Sequence, residues 1–264
     1  MVSQVQSSAV YSRTVPRRSR LPNRMDPWDC SLCAAQLRTF WGRLTTKLLS
    51  FFYGSRLVPR ILVVGGHRIC ILETRGSYAT RLWYSSTVLS EWLYSNRRQL
   101  GKGTVLEVGA GTGLCSLLLA ATSDAHVIAT DYDEEGLGLL QQSANEQSLP
   151  IRTLYFDICS DDSLPECDCL VASDMMYTRQ LAEGLARRCL EVVARGGVAI
   201  VADPGRPPRG MFQAIIEEMG MKAAFVRPAQ ASIDKTSDGS KLYLLHIENE
   251  HSISPFEARA VLEG

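Results

Sequence analysis

The chain has 264 residues, 45% of them hydrophobic, enough to bury one substantial core. Net charge is zero but unevenly spread: residues 1–72 hold 11 Lys/Arg against Asp26 and Asp29, and the other 192 residues hold 17 Lys/Arg against 26 Asp/Glu. Such an acidic body lacks the basic surface that phosphate contacts require, which argues against a nucleic-acid substrate and suits a cationic or lysine-bearing one.

Residues 1–29 read as a basic segment. Within it, residues 1–25 carry no acidic residue, five arginines (Arg13, Arg17, Arg18, Arg20, Arg24) and five serines. Both an organelle transit peptide and a disordered basic tail have this composition. Localisation is therefore expected to be mitochondrial or plastid in the first case and cytoplasmic in the second. Residues 30–57 are expected to be an amphipathic helical extension, with Leu37, Trp41, Leu44, Leu48, Phe51 and Phe52 at helical spacing. It packs on the body, continues a presequence or lies on a membrane surface. Arg38, Arg43 and Lys47 interrupt its apolar run, so no transmembrane segment is expected.

Residues 58–250 read as one catalytic domain, followed by a tail at 251–264. Ile61–Val64, Gly65-Gly66 and His67–Leu72 predict a hairpin. Trp83-Tyr84 then leads into a helix near 85–95. Strands are expected near 103–108, 125–130, 151–156, 168–173, 197–202, 222–226 and 241–247, with helices near 113–121, 134–147, 179–194 and 210–219. This alternation predicts an α/β fold: a Rossmann-like, seven-stranded, mostly parallel sheet with helices on both faces, preceded by the hairpin and the N-terminal helical extension. The eight cysteines read as core thiols of a reducing compartment. Cys30, Cys33, Cys167 and Cys169 could supply four sulfurs, but the last two sit on a predicted core strand, so no metal is expected. The four histidines fall away from the predicted cleft.

Val105-Leu106-Glu107-Val108 runs into Gly109-Ala110-Gly111-Thr112-Gly113, and the helix from Leu114 presents its amides to that loop. Glycines here let the chain bend tightly and admit a ligand against the backbone. A dinucleotide site would want glycine at 114, where leucine stands. Glu107, just before the turn, disfavours a pyrophosphate and suits an ammonium or sulfonium. Asp131, 22 residues past Gly109 and followed by Tyr132, ends the next strand where a ribose diol can be gripped. Asp157 after the third strand is suited to an adenine amino group and the Ile158 amide to a ring nitrogen; Asp157 also reads as a plain loop aspartate. Together these residues resemble the cofactor site of class I S-adenosylmethionine-dependent methyltransferases.

Ser173-Asp174-Met175-Met176-Tyr177 closes the fourth strand. Where enzymes acting on planar nitrogens carry an Asn-Pro-Pro-Tyr-type sequence, this chain has a carboxylate, which suits an aliphatic amine. The Asp-x-x-Tyr element, the hairpin and the Trp-containing helix resemble the seven-strand, nicotinamide N-methyltransferase-like group of protein-lysine methyltransferases. Residues 173–182 and Ala202-Asp203-Pro204-Gly205-Arg206-Pro207 are similar in motif to the electron-transfer-flavoprotein β-subunit lysine methyltransferases. The resemblance spans about residues 58–248. It implies S-adenosylmethionine bound by Trp83, Glu107, Gly109, Ala110, Gly111 and Gly113. Asp131, Tyr132, Asp157, Ile158 and Ser173 complete the cofactor set, with Asp174 and Tyr177 catalytic. It implies a protein substrate bearing the target lysine; the chain is separately expected to be a monomer. One departure is that the family has Trp-Pro where this chain has Trp83-Tyr84. Arg206 and Arg209 read either as part of a bare turn or as grips for an acidic stretch of substrate. A small-molecule N-methyltransferase and a non-catalytic cofactor-binding subunit are the alternative expectations.

Overall fold

The computed structural model describes residues 57–100, 102–221 and 243–247. The expected segments at 1–29, 30–57 and 251–264 and the expected strand at 222–226 lie outside these residues, apart from Leu57.

A two-stranded antiparallel hairpin comes first: β1 (Val58–Val64) and β2 (His67–Glu73) meet through Gly65 and Gly66, both at positive φ. A 3-10 turn at Tyr78–Thr80 leads to α1 (Tyr84–Asn96). Then strands and helices alternate: β3 (Thr104–Val108), α2 (Leu114–Thr122), β4 (His126–Asp131), α3 (Glu134–Glu146), β5 (Ile151–Tyr155), β6 (Cys169–Ser173), α4 (Arg179–Ala194), β7 (Val198–Asp203), α5 (Arg209–Glu218) and β8 (Tyr243–Ile247). The sheet order is β5-β4-β3-β6-β7-β8, parallel except for β8, which runs antiparallel to β7. Six of the seven expected sheet strands are thus described.

Chain order reverses between β3 and β6, and ligands of doubly wound sheets bind in the crevice outside the carboxyl ends at that point. Period-two alternation sends successive strand residues to opposite faces. Val105, Val127, Val171 and Ile200 pack with Leu89, Leu93 and Leu117 from α1 and α2. Leu106, Val108, Leu170 and Val201 pack with Leu185, Cys189, Phe212 and Ile216 from α4 and α5. The central strands are buried on both sides, which is why they are nearly continuous apolar runs.

The hairpin is locked to the sheet layer through polar groups of the α3 region. Gln147 accepts from the Cys70 amide at 2.9 Å and donates to the Cys70 carbonyl at 2.7 Å, while Ser143 accepts from the Leu72 amide at 3.1 Å. These side chains bond backbone groups on the outer edge of β2. Replacing Gln147 with Ala removes both of its bonds to the Cys70 backbone and should cost about 2–3 kcal/mol. Chemical denaturation of Gln147→Ala against wild type checks this; a loss below half a kcal/mol would mean water replaces the amide.

Candidate functional site

The turn between β3 and α2 is built from Gly109, Gly111 and Gly113 at φ 64, 53 and 74. Left-handed conformations strain every residue with a Cβ, so three in five residues demand glycine. The turn is pinned by its neighbours. The Ala110 amide donates to the Thr130 carbonyl at 2.9 Å, Gly113 to the Ala110 carbonyl at 2.8 Å, and Gly111 to Asp131 Oδ2 at 2.8 Å. Glu107 lies beneath the turn, 2% exposed, accepting from the Ser116 amide at 2.9 Å and from its hydroxyl. Its contacts tie α2 to β3, so it serves the turn from below. Burial pushes its carboxyl up to about 7, against the Ser116 hydrogen bonds, which pull it down.

Asp131 is buried at the end of β4, its second oxygen accepting from the Asp133 amide at 3.0 Å. Burial raises its pKa, and the amides of Asp133 and Gly111 oppose the rise. Each oxygen keeps a lone pair for a further donor, so it fits a ribose diol. Tyr132 follows, exposed. After β5, Asp157 accepts from the Cys159 amide at 2.8 Å, and Ile158 is buried. Buried Arg188 of α4 holds this loop: it donates to the carbonyls of Ile158 at 3.2 Å and Ser160 at 2.6 Å, and its guanidinium lies 5.0 Å from the Phe156 ring centroid.

At the end of β6, Ser173 is buried beside Ala202 of β7, and Asp174 adopts φ 63. The Asp174 amide donates to the Ala202 carbonyl at 3.0 Å. Its carboxylate, 10% exposed, accepts from Ser85 of α1 at 3.2 Å and pairs with Arg206, whose guanidinium also donates to the Asp174 carbonyl at 3.1 Å. Arg206 therefore faces into the site, and the expectation that it grips a substrate at the rim is corrected. The cause is Asp203, fully buried, which accepts from the amides of Gly205 at 2.6 Å and Arg206 at 3.0 Å and folds the loop back. Met175 closes over the glycine turn: a Cβ on Gly109 would lie 1.8 Å from its sulfur. Half-exposed Tyr177 has its phenol pushed up to about 12, first by burial and then by Tyr132 and Asp131.

The loop from Thr74 to Trp83 covers the other side. Glu73 accepts from the Leu82 amide at 2.7 Å, Thr74 donates to Glu135 at 3.0 Å, and the Trp83 indole donates to the Tyr78 carbonyl at 2.9 Å. The Ala79 carbonyl would be 3.0 Å from a Cβ on Gly111. Contacts thus link the glycine turn with Asp131, Met175 and this loop, and Asp174 with Ser85 and Arg206. Asp157 and Ile158 stand one strand further out, since β5 pairs with β4. Trp83 keeps its place as the residue before α1, and Tyr84 begins the helix. Ser85, Met175, Arg188 and the inward pose of Arg206 were missed. Only the Asp203-Pro-Gly-Arg206 turn chemistry carried a readable signal.

A carboxyl whose pKa rises on folding contributes stability that is full below its unfolded value and is lost as pH rises through the folded one. For Glu107 the window runs from 4.5 to about 7. Wild type should lose on the order of 3 kcal/mol across it. Glu107→Gln should lack that step; melting curves at pH 5 and pH 8 test it, and an identical loss in the variant would contradict it.

A family profile described as lysine methyltransferase matches residues 67–208, more than half of the chain. Protein-lysine methyltransferase METTL21E of Bos taurus is 35% identical over 133 residues, which are 46% of this chain and 45% of that protein. Histone-arginine methyltransferase METTL23 of Mus musculus is 35% identical over 128 residues, 44% of this chain and 50% of that protein. The chain thus spans about half the length of these curated relatives. Among solved structures, the T. thermophilus 16S rRNA N2 G1207 methyltransferase RsmC superposes with a TM-score of 0.56 at 20% identity, covering 74% of this chain and 51% of that one. That likeness concerns the fold. By the match over its glycine turn, its acidic strand ends and its Asp174–Tyr177 loop, the chain belongs to the lysine methyltransferase family.

Proposed function

We propose that this protein is an S-adenosylmethionine-dependent N-methyltransferase that modifies a lysine side chain of a protein substrate, acting as a monomer and without nucleic acid. The observation that carries the reading is Asp174: a mostly buried carboxylate in a left-handed pose, on the loop whose Met175 lies against Gly109. A carboxylate there suits an aliphatic amine, and the lysine methyltransferase profile supports that choice of acceptor.

When bound, S-adenosylmethionine supplies an electrophilic methyl: the amine lone pair forms the N–C bond, the S–C electrons stay on sulfur as a thioether, and the amine's proton leaves to solvent. The protein's part is alignment and charge placement. Asp131 would hold the ribose hydroxyls, and Asp157 with the Ile158 amide would hold the adenine edge. Tyr132 and Ser173 would line the cofactor. The backbone from Gly109 to Gly113, supported by Glu107, would hold the methionine portion, with Trp83 beside it. Asp174 orients the amine, and Tyr177 walls the channel through which the lysine enters.

Incubating the purified chain with radiolabelled S-adenosylmethionine and an extract of its source organism, followed by gel autoradiography and amino-acid analysis, tests this. We expect a discrete labelled protein containing methyl-lysine. Asp174→Asn should lower labelling about 10²-fold or more while cofactor binding persists. Methyl-arginine, or label confined to small molecules, would contradict the acceptor. Full activity in Asp174→Asn would contradict the site.

A further inference from the structure

We infer that Arg206 is a positioning residue of the acceptor site, whose guanidinium cancels the charge of Asp174 so that this carboxylate orients a neutral lysine amine instead of trapping an ammonium ion. The inference rests on the lysine-methylation reading above.

Three observations converge on it. The guanidinium meets both the Asp174 carboxylate and its carbonyl, so it fixes the side chain and the left-handed backbone together. Its own pose is imposed by the buried Asp203 carboxylate, which takes the Gly205 and Arg206 amides. The Asp174 and Arg206 side chains are 10% and 29% exposed, so water screens the pair only partly.

The chemistry explains why this matters. Methyl transfer needs the nitrogen lone pair, and a free lysine holds its proton up to a pKa of about 10.4. An uncompensated carboxylate within about 4–6 Å would raise that by a further 1–3 units, and so lower the fraction of acceptor able to react. A carboxylate already paired with a guanidinium keeps lone pairs to accept N–H from the amine, but adds little field to hold the proton. Other groups around Asp174 do not supply this compensation. From α1 the facing group is the Ser85 hydroxyl, which is uncharged. On its own loop stands Tyr177, whose phenol is held protonated first by burial and then by Tyr132 and the Asp131 carboxylate, so it supplies no positive charge. Behind Arg206, Asp203 interacts with Arg209. Glu107 is sealed under the glycine turn by Ser116. Arg206 is the cation that pairs with Asp174 among the described residues.

The test compares wild type, Arg206→Lys, Arg206→Gln and Arg206→Met as full chains. The acceptor is the protein that the labelled band identifies, purified in its unmethylated form and assayed with S-adenosylmethionine from pH 6.5 to 10. In the Gln and Met variants the rising limb of kcat against pH should move up by about one unit or more, and kcat at pH 7.5 should fall about tenfold. KM for the acceptor should fall or hold, and S-adenosylmethionine affinity should be unchanged by calorimetry. Arg206→Lys, which keeps the charge, should keep the wild-type limb. An unshifted limb in Gln and Met, with a uniform loss of rate, would make Arg206 a mere tether and overturn the inference. A shift in Arg206→Lys equal to that in Gln, or loss of cofactor binding in all three variants, would also overturn it. If wild type labels no protein lysine, the functional reading fails first and the inference falls with it; the two failures are therefore distinguishable.

Discussion

The carboxyl edge of the sheet depends on one backbone geometry, the left-handed turn Gly109–Gly113 held by the Gly111 amide on Asp131. Because these glycines lack side chains, two other segments can close on the turn. Met175 comes from the loop after β6 and Ala79 from the loop before α1. A Cβ at 109 or 111 would strain the backbone and strike one of them as well. The same bond fixes Asp131, so the proposed cradle for the cofactor's methionine portion and the proposed grip for its ribose share a single contact.

Two buried carboxylates and one mostly buried one illustrate how one edge assigns different tasks to one chemical group. Glu107 is compensated by a helix amide and a hydroxyl, and burial keeps its pKa near neutrality. Asp131 is compensated by two loop amides and retains lone pairs facing outward demand. Asp174 has a hydroxyl and a guanidinium, partners from α1 and from the loop after β7. The first supports the turn, the second suits a neutral diol, and the third suits an amine. Burial costs each of them desolvation, and the partners that offset it are what distinguish their chemistry.

The fold was largely legible because its signals are redundant. Val105–Val108 and Leu170–Ala172 are short apolar runs of parallel-strand type, glycines follow β3, and α4 has a wide apolar face; their boundaries agree with the sequence expectations to within one residue. The residues Gly109, Gly111, Asp131 and Asp174 were legible for the same reason, since turn chemistry and strand ends locate them. What was hidden depends on side-chain direction across elements distant in sequence. Arg206 sits among prolines and a glycine, a composition that reads as exposed turn. Its return to Asp174, 32 residues earlier, requires the adjacency of β6 and β7 and the Asp203 turn together. Arg188 is one of two consecutive arginines, and only the packing of α4 on the loop after β5 decides that it, rather than Arg187, is buried. Gln147 and Ser143 look like ordinary polar helix residues until β2 lies against them.

The glycine turn is the proposed cofactor cradle. Calorimetric titration of S-adenosylmethionine into wild type and Gly111→Ala tests it, because alanine there meets both an unfavourable φ and the Ala79 carbonyl. Wild type should bind one equivalent, and the variant, still cooperatively folded, should bind about tenfold more weakly or worse. Equal affinity in the two proteins, or no binding to wild type, would contradict the account.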